Sequence, residues 1–475
     1  MFLTLVEKEL KYLLLSPKFT ATFLACTILT LLSIQAGIME YNNGRAQYDA
    51  ATALVSQELN EAERWHQVGG RQRVFREPKP VQIFVSGVHF DIGRYSVISS
   101  WQDIKLRQSA YSIEPLFAVF RAIDFLFIVQ VVLSLLTIVF SYDLISGEKE
   151  SGTLRLMLSN AVPRTTYIAA KLSGAWLGLM VPLLIPLALG ILLILIQRIP
   201  FTPDDWLHIA ALAGYAALYL TAFLSVGLLV STLTHQSNLS FLILLVFWIS
   251  MVLVIPRGGM MIASQLYDVP SATEIESQKE GFAQEQRTQF FERISEAARE
   301  RNQATAGMTE EEREQYNEDN EWDQMLASED MQKDMDEAIA EYNRKIDEDA
   351  ANKRQEQQRF GFMLSRFSPA AAFQLAGMTL GQTDIGLKQR YLTALSEYRS
   401  TFRAYIDEKS PSGGIVMGGQ PSPADKPDLT DMPQFTAPAL ASPISQTLPD
   451  ALILFLFVSV ATVMSFVTFN RYDVR

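Results

Sequence analysis

Six long apolar runs, separated by polar stretches of very unequal length, set the plan of this chain. Phe19–Ile38 holds twenty residues without a charge. That is enough to cross a hydrocarbon core of roughly 30 Å. Comparable runs occupy 125–142, 167–196, 209–233, 239–255 and 451–469. The run at 167–196 is long enough to tilt, or to kink at Pro182 and Pro186. Ahead of the first run, Leu3, Val6, Leu10, Leu13 and Leu14 recur at helical spacing while Glu7, Lys8 and Lys11 face elsewhere. Residues 1–18 therefore read as an amphipathic helix lying in the membrane interface, closed by Pro17. The first run is too long for a signal peptide and no small-residue cleavage site follows, so it reads as a retained span.

Two polar stretches are large. Residues 39–124 open with a helical pattern at AATALVSQELNEAERW, and VQIFVSGVHF (81–90) alternates weakly, which predicts a strand or two. Residues 263–450 form a second, mainly helical segment. Within it no proline occurs from Ser271 to Ser368, and Thr309 to Glu312 is a capping box. One helix is expected to end near Ala306 and another to start at Glu310. Met331, Met335, Ala338, Tyr342 and Ile346 form a seam for a helical hairpin or coiled coil. Ser368–Gln382 is mildly apolar but too short to span, so an interfacial or buried helix is expected. Residues 384–407 carry Ile385, Leu387, Tyr391, Leu395, Tyr398 and Phe402 on one side, and Gly- and Pro-rich residues 410–449 read as a linker.

Charge gives the sides. Lys8, Lys11, Lys18, Lys149, Arg155, Arg164, Lys171, Arg471 and Arg475 fall near span ends on one side; Arg198 is alone on the other. By the positive-inside rule both termini and the 143–166 loop are cytoplasmic, and the two large segments are extracytoplasmic. The net charge of -12 is concentrated in 271–359, where 25 acidic and 12 basic residues leave -13. No basic stripe exists to neutralise phosphates, so a nucleic-acid partner is excluded. The single cysteine, Cys26, rules out an internal disulfide framework, and the four histidines show no metal-ligand spacing.

The chemistry-bearing stretch is Ser141–Lys171. Gly147 and Gly152, with Thr153 following, superficially suggest a phosphate loop. A P-loop needs a lysine just before the Ser or Thr, and here Thr153 directly follows Gly152. The chain itself binds no ATP on this reading. Leu154, Leu158 and Met157 instead give a short stretch with a small apolar face, which by composition suits equally an amphipathic helix for a groove on a soluble partner and an ordinary solvated loop between spans.

The pattern Ser146-Gly-Glu-Lys-Glu-Ser-Gly-Thr-Leu154, then Leu158, Pro163-Arg164 and Lys171, resembles the signature of ABC-exporter permeases of the type V fold. The likeness continues through Gly174, Gly227-Leu-Leu-Val-Ser231, Trp248 and Pro256. The large outer segments resemble the bacterial branch with insertions after the first and fifth spans. The resemblance implies an all-α polytopic membrane protein with six transmembrane helices. An N-terminal interfacial helix, a cytoplasmic coupling helix and a helical extracytoplasmic domain with a small β part complete it. It implies that Glu148, Glu150, Ser151, Gly152, Thr153, Leu154, Leu158 and Arg164 couple to a separate ATP-binding subunit, which would hold ATP and Mg. This chain would carry no cofactor and no catalytic residue. The other expected partners are a second permease copy or paralogue, membrane lipid and an extracytoplasmic protein, all at a bacterial inner membrane. The implied function is ATP-driven export of an unspecified substrate. The alternative is a mechanotransmission subunit whose outer helices act on an envelope protein without moving a substrate.

Overall fold

The computed structural model describes residues 1–63, 65–69, 72–90, 92–98, 104, 106–107, 123–159, 162–409, 427–438 and 443–472. Of the linker expected over 410–449, residues 410–426 and 439–442 lie outside these, as does Arg475. In chain order the elements are α1 (Phe2–Leu14), α2 (Pro17–Asn60), α3 (Trp65–Gly69), β1 (Gln72–Phe75) and β2 (Tyr95–Ile98). Then come α4 (Phe125–Glu150), α5 (Thr153–Ser159), α6 (Arg164–Ile196), α7 (Pro203–Leu233) and α8 (Ser237–Leu266). The last are α9 (Ala272–Ala304), α10 (Glu310–Ser365), α11 (Pro369–Leu380), α12 (Leu387–Lys409) and α13 (Leu448–Arg471). Among the described residues, α2, α4, α6, α7, α8 and α13 are the helices long and apolar enough to cross a membrane. The protein is thus an all-α polytopic membrane protein, with one two-stranded sheet among the described residues.

The chain divides into two compact units, Met1–Pro256 with Arg366–Arg475, and Arg257–Ser365. In the first unit the span helices bury their apolar faces around α7. Tyr219 of α7 stacks on Phe373 of α11 with ring centroids 4.6 Å apart, and both side chains are sealed from solvent. The α11 helix is buried rather than interfacial: Ala370, Ala372, Phe373 and Leu380 are fully enclosed. At about 18 Å long it cannot cross a bilayer by itself. Ser368 caps it by accepting from the amides of Ala370 and Ala371.

Two spans carry a π-helical turn, Ile128–Leu133 in α4 and Ile249–Val254 in α8. Such a turn disrupts the regular i→i−4 ladder, and in an apolar medium every carbonyl needs a donor. The Tyr219 hydroxyl donates to the Gln130 carbonyl at 2.9 Å, and the Ser368 hydroxyl donates to the Met251 carbonyl. Trp248 Nε1 donates to Ser134 Oγ at 2.8 Å beside them.

The α2 helix runs 44 residues, roughly 66 Å. It carries the chain well past Ile38, through Asn42-Asn43-Gly44, a sequence that elsewhere favours a turn. A second, smaller core forms around β1 and β2, which pair antiparallel with Gln72 opposite Ile98. Val68, Val74 and Ile98 pack there against Leu395, Tyr398 and Phe402 of α12. Residues from both large polar stretches therefore build one core within the first unit.

The strand expected in 81–90 is not formed. Pro80–Ile83 is a 3-10 turn, and turns follow. Pro78 and Pro80 lack the amides a ladder needs. Ile83, Phe84 and Val85 are buried consecutively, where a strand with one core face would bury alternate residues.

The second unit is a helical hairpin. Thr309 and Glu312 form the expected reciprocal cap: the Thr309 amide donates to Glu312 Oε2 at 2.9 Å and the Glu312 amide to Thr309 Oγ1 at 3.4 Å. The preceding helix ends at Ala304, two residues before the expected position. Met331, Met335, Ala338, Tyr342 and Ile346 are all half-buried, so the seam is real. Tyr342 stacks on Phe282 at 4.0 Å, and Lys279 pairs with Asp347 at 2.6 Å.

Candidate functional site

The connection from Ser141 to Lys171 turns back on the ends of three other helices. Helix ends leave four amides or four carbonyls without intrahelical partners, and carry partial charge. Glu150 accepts from the Ser237 amide at 3.1 Å, at the positive N-terminal end of α8. Lys149 Nζ donates to the Thr232 carbonyl, and to that of Thr234 at 3.0 Å, at the negative C-terminal end of α7. Arg164 donates to the Asn470 and Tyr472 carbonyls at 2.7 and 2.9 Å, at the C-terminal end of α13. Ser231 of α7 accepts from the amides of Ile145 and Ser146, both at 2.9 Å. Lys149 and Glu150, adjacent in GEKE, thus each meet a helix terminus of opposite partial charge.

Glu148 turns inward. Its Oε1 lies 2.6 Å from Lys171 Nζ, and its Oε2 accepts from the Tyr167 hydroxyl. On its other side Lys171 pairs with Glu9 of α1 at 2.8 Å. The three side chains are 19, 6 and 11% exposed in the order Glu148, Lys171, Glu9. One buried cation therefore ties the loop, the third span and the N-terminal helix together. A second link joins Lys18, at the start of α2, to Asp143 at 3.6 Å and to the Tyr142 hydroxyl at 2.9 Å.

The N-terminal helix lies against α6 because two glycines leave room for it. A Cβ on Gly174 would stand 2.7 Å from Glu9 Cβ, and one on Gly178 would stand 2.7 Å from Leu13 Cδ2. The four-residue spacing puts both on one face, the small-residue arrangement that lets helix backbones approach in a membrane.

Gly152 adopts φ of 75° in open space, a left-handed turn that suits glycine. It separates the capping residues from α5. Ser151 and Thr153 are exposed, with hydroxyl oxygens 2.9 Å apart. In α5, Leu154 is buried at 1% exposure and Leu158 is half-buried. Arg155 and Leu156 face outward, Leu156 at 68% exposure.

Of the residues singled out from sequence, Glu148 and Leu154 hold the segment from within. Glu150 and Arg164 cap helices, Gly152 makes the turn, and Ser151 and Thr153 stand on the surface. Glu9, Tyr167, Gly178 and Leu156 were not among them, and Lys171 stood out only as a motif position and a charge near a span end, not as a buried partner. A lone lysine just inside an apolar run, which demands a buried partner, and the GxxxG spacing of Gly174 and Gly178 were the signals available.

The sequence matches no curated protein at a significant level. The family model described as ABC-2 family transporter protein matches residues 3–474. The chain therefore belongs to the ABC-2 family of transporter proteins: it is a multi-pass transmembrane subunit of an ABC transporter, a class that works with an ATP-binding partner subunit.

Proposed function

We propose that this chain is the permease of an ATP-binding-cassette exporter of the type V arrangement in a bacterial inner membrane. Both termini and the 141–171 connection are cytoplasmic on this reading. A separate subunit binds ATP and Mg and hydrolyses the nucleotide, while α5 is the coupling helix that receives its movement. Glu150, Ser151, Thr153 and Leu156 form the face offered to that subunit. Glu148, Leu154, Leu158 and Arg164 make the connection stiff enough to pass the displacement on. Two permeases, identical or paralogous, would flank the path of the exported substrate.

The observation that carries this reading is the Glu148–Lys171–Glu9 linkage. A push on α5 cannot move the loop without moving α1 and α6, because the shared ammonium is buried between two carboxylates. Such a tightly packed element is what passes a local displacement on to the spans. The test is reconstitution of the chain with its ATP-binding subunit in lipid vesicles. Replacing Leu156 with Asp and Glu150 with Lys is expected to abolish transport-coupled ATP hydrolysis while the chain still inserts and folds. Undiminished coupling in that variant contradicts the assignment.

A mechanotransmission role has its own supporting observation. The Arg257–Ser365 hairpin exposes Phe291, Trp322, Met325 and Leu326, each more than half accessible. Removal of 271–359 separates the two readings. Persisting transport favours export, whereas lost ATP-dependent capture of an envelope protein favours the arm.

A further inference from the structure

A cavity of about 470 Å³ opens beside α2, at the end of the bundle away from the 141–171 connection. Its walls come from α2 between Ser33 and Ala51, from the turns at 75–95, and from Ile123 and Asp124. Ser33, Ala36 and Gly37 belong to the charge-free run that crosses the membrane, so the cavity floor lies at the level of the hydrocarbon edge. Eighteen residues further along, Ala51 stands roughly 27 Å away.

The upper part carries cations in excess. Arg76, Lys79 and Arg94 line it, against Glu40 and Asp124. Both acids are engaged. Glu40 pairs with Arg94 at 3.1 Å, and Asp124 accepts from the Phe127 amide at 2.8 Å and the Ser86 amide at 2.9 Å. Nearby Glu77 pairs with Arg45 at 2.5 Å. Arg76 has no carboxylate within ion-pair distance among the described residues. Its Nη1 meets His89 Nδ1 at 2.9 Å, its Nη2 donates to the His89 carbonyl at 3.0 Å, and its Nε is enclosed without a partner. Burial lowers the Arg76 pKa to about 10, which leaves the guanidinium charged at neutral pH. Burial first, then Arg76 and Arg94, push His89 well below its ordinary range, so the ring is neutral and adds no second positive charge beside Arg76.

A guanidinium held in a lined cavity without a carboxylate is costly unless an anion joins it. Phosphate and carboxylate match its planar fork. A bare inorganic anion would leave most of the volume empty, including the apolar walls at Ala36, Met39, Ile83 and Ile123.

We propose that this cavity binds an anionic amphiphile, its phosphate or carboxylate head against Arg76 and its aliphatic tail descending along α2 toward the bilayer. The site depends on the transmembrane placement of α2, and it holds whether the transporter exports a substrate or drives an outer partner.

The test uses the purified full chain in a neutral detergent, with dissociation constants measured by calorimetry. Lauroyl-lysophosphatidylglycerol and laurate are expected to bind, and whichever binds more tightly identifies the head group. Monolaurin, of the same acyl tail but with no charged group, is expected to bind at least about tenfold more weakly, as loss of one charged hydrogen-bonded contact implies. Arg76→Gln should weaken the lysophosphatidylglycerol by a similar factor, with partial rescue in Arg76→Lys. Ala36→Phe fills the floor without touching a charge and should weaken all three lauroyl probes while the fold persists. The proposal is overturned if inorganic phosphate binds as tightly as the lysolipid, if uncharged monolaurin matches the anionic lysolipid, or if Ala36→Phe leaves affinity unchanged.

Discussion

Lys171→Met removes the shared cation of the linkage and isolates its consequences. The native trio holds two carboxylates and one ammonium, with the Tyr167 hydroxyl donating to Glu148. All three charged side chains are less than one-fifth exposed. Methionine leaves two buried carboxylates without a counter-ion and facing one another. Breaking a buried pair from one side costs about 3–5 kcal/mol, and the like-charge contact places this variant at the upper end. Glu148→Gln instead leaves Lys171 paired one-to-one with Glu9, and the amide still accepts the tyrosine hydroxyl. That change should cost about 1–2 kcal/mol, the scale of one charged hydrogen bond. The triple variant Glu9→Gln, Glu148→Gln, Lys171→Met carries no charge there. It should regain most of the stability lost in Lys171→Met, because buried ionic groups are often replaceable by neutral ones. It should not regain coupling, since nothing then ties α1 to the loop. The assay is reversible unfolding of the full chain in mixed micelles, read by circular dichroism, alongside ATP hydrolysis with the partner subunit. Equal stability losses in Lys171→Met and Glu148→Gln would refute the reasoning, as would a triple variant that stays as unstable as Lys171→Met.

Two further perturbations test other parts of the structure. Gly174→Ala should destabilise the packing of α1 by about 1–3 kcal/mol, because its Cβ would meet Glu9 Cβ and the Val6 carbonyl. Gly178→Ala should be nearly neutral, since the mobile end of Leu13 can give way and alanine favours the helix; protease cleavage of α1 in the two variants reads the difference. Acidification should weaken the packing around His89. His89 titrates near 6.5 when unfolded and well below that when folded. The unfolded state therefore takes up the proton first, and stability is lost as pH falls below about 6.5. Thermal unfolding at pH 7.5 and 5.5 should show this loss, and His89→Gln should flatten it.

The apolar runs revealed the six spans because a bilayer admits few alternatives: a long charge-free segment has to be helical. The Thr309–Glu312 cap was legible because its two partners lie close in sequence, and the half-buried seam because its positions recur at helical spacing on one helix, although Phe282, which it meets, lies far away in the chain. What was not legible depends on distant partners. The length of α2 was hidden by Asn42-Asn43-Gly44, and that local turn preference yields where Pro78 packs on Gly44. Residues 81–90 show weak alternation, yet Ile83, Phe84 and Val85 bury together against the spans. The π turns left no mark in the sequence; their stability comes from Tyr219 and Ser368, 89 and 117 residues away from the carbonyls they serve. In the connection itself, composition located the segment but not its facing. Glu148 and Glu150 look equivalent in GEKE, and only the positions of Lys171 and Ser237 send one inward and the other to a helix end.

The central claim is that α5 presents its outer face to the ATP-binding subunit. A photoactivatable benzoyl-phenylalanine in place of Leu156, in the assembled transporter, tests it most directly. Irradiation is expected to join the chain to the ATP-binding subunit, while the same group in place of Trp322 on the hairpin is not. An adduct from position 322 and none from position 156 would contradict the account.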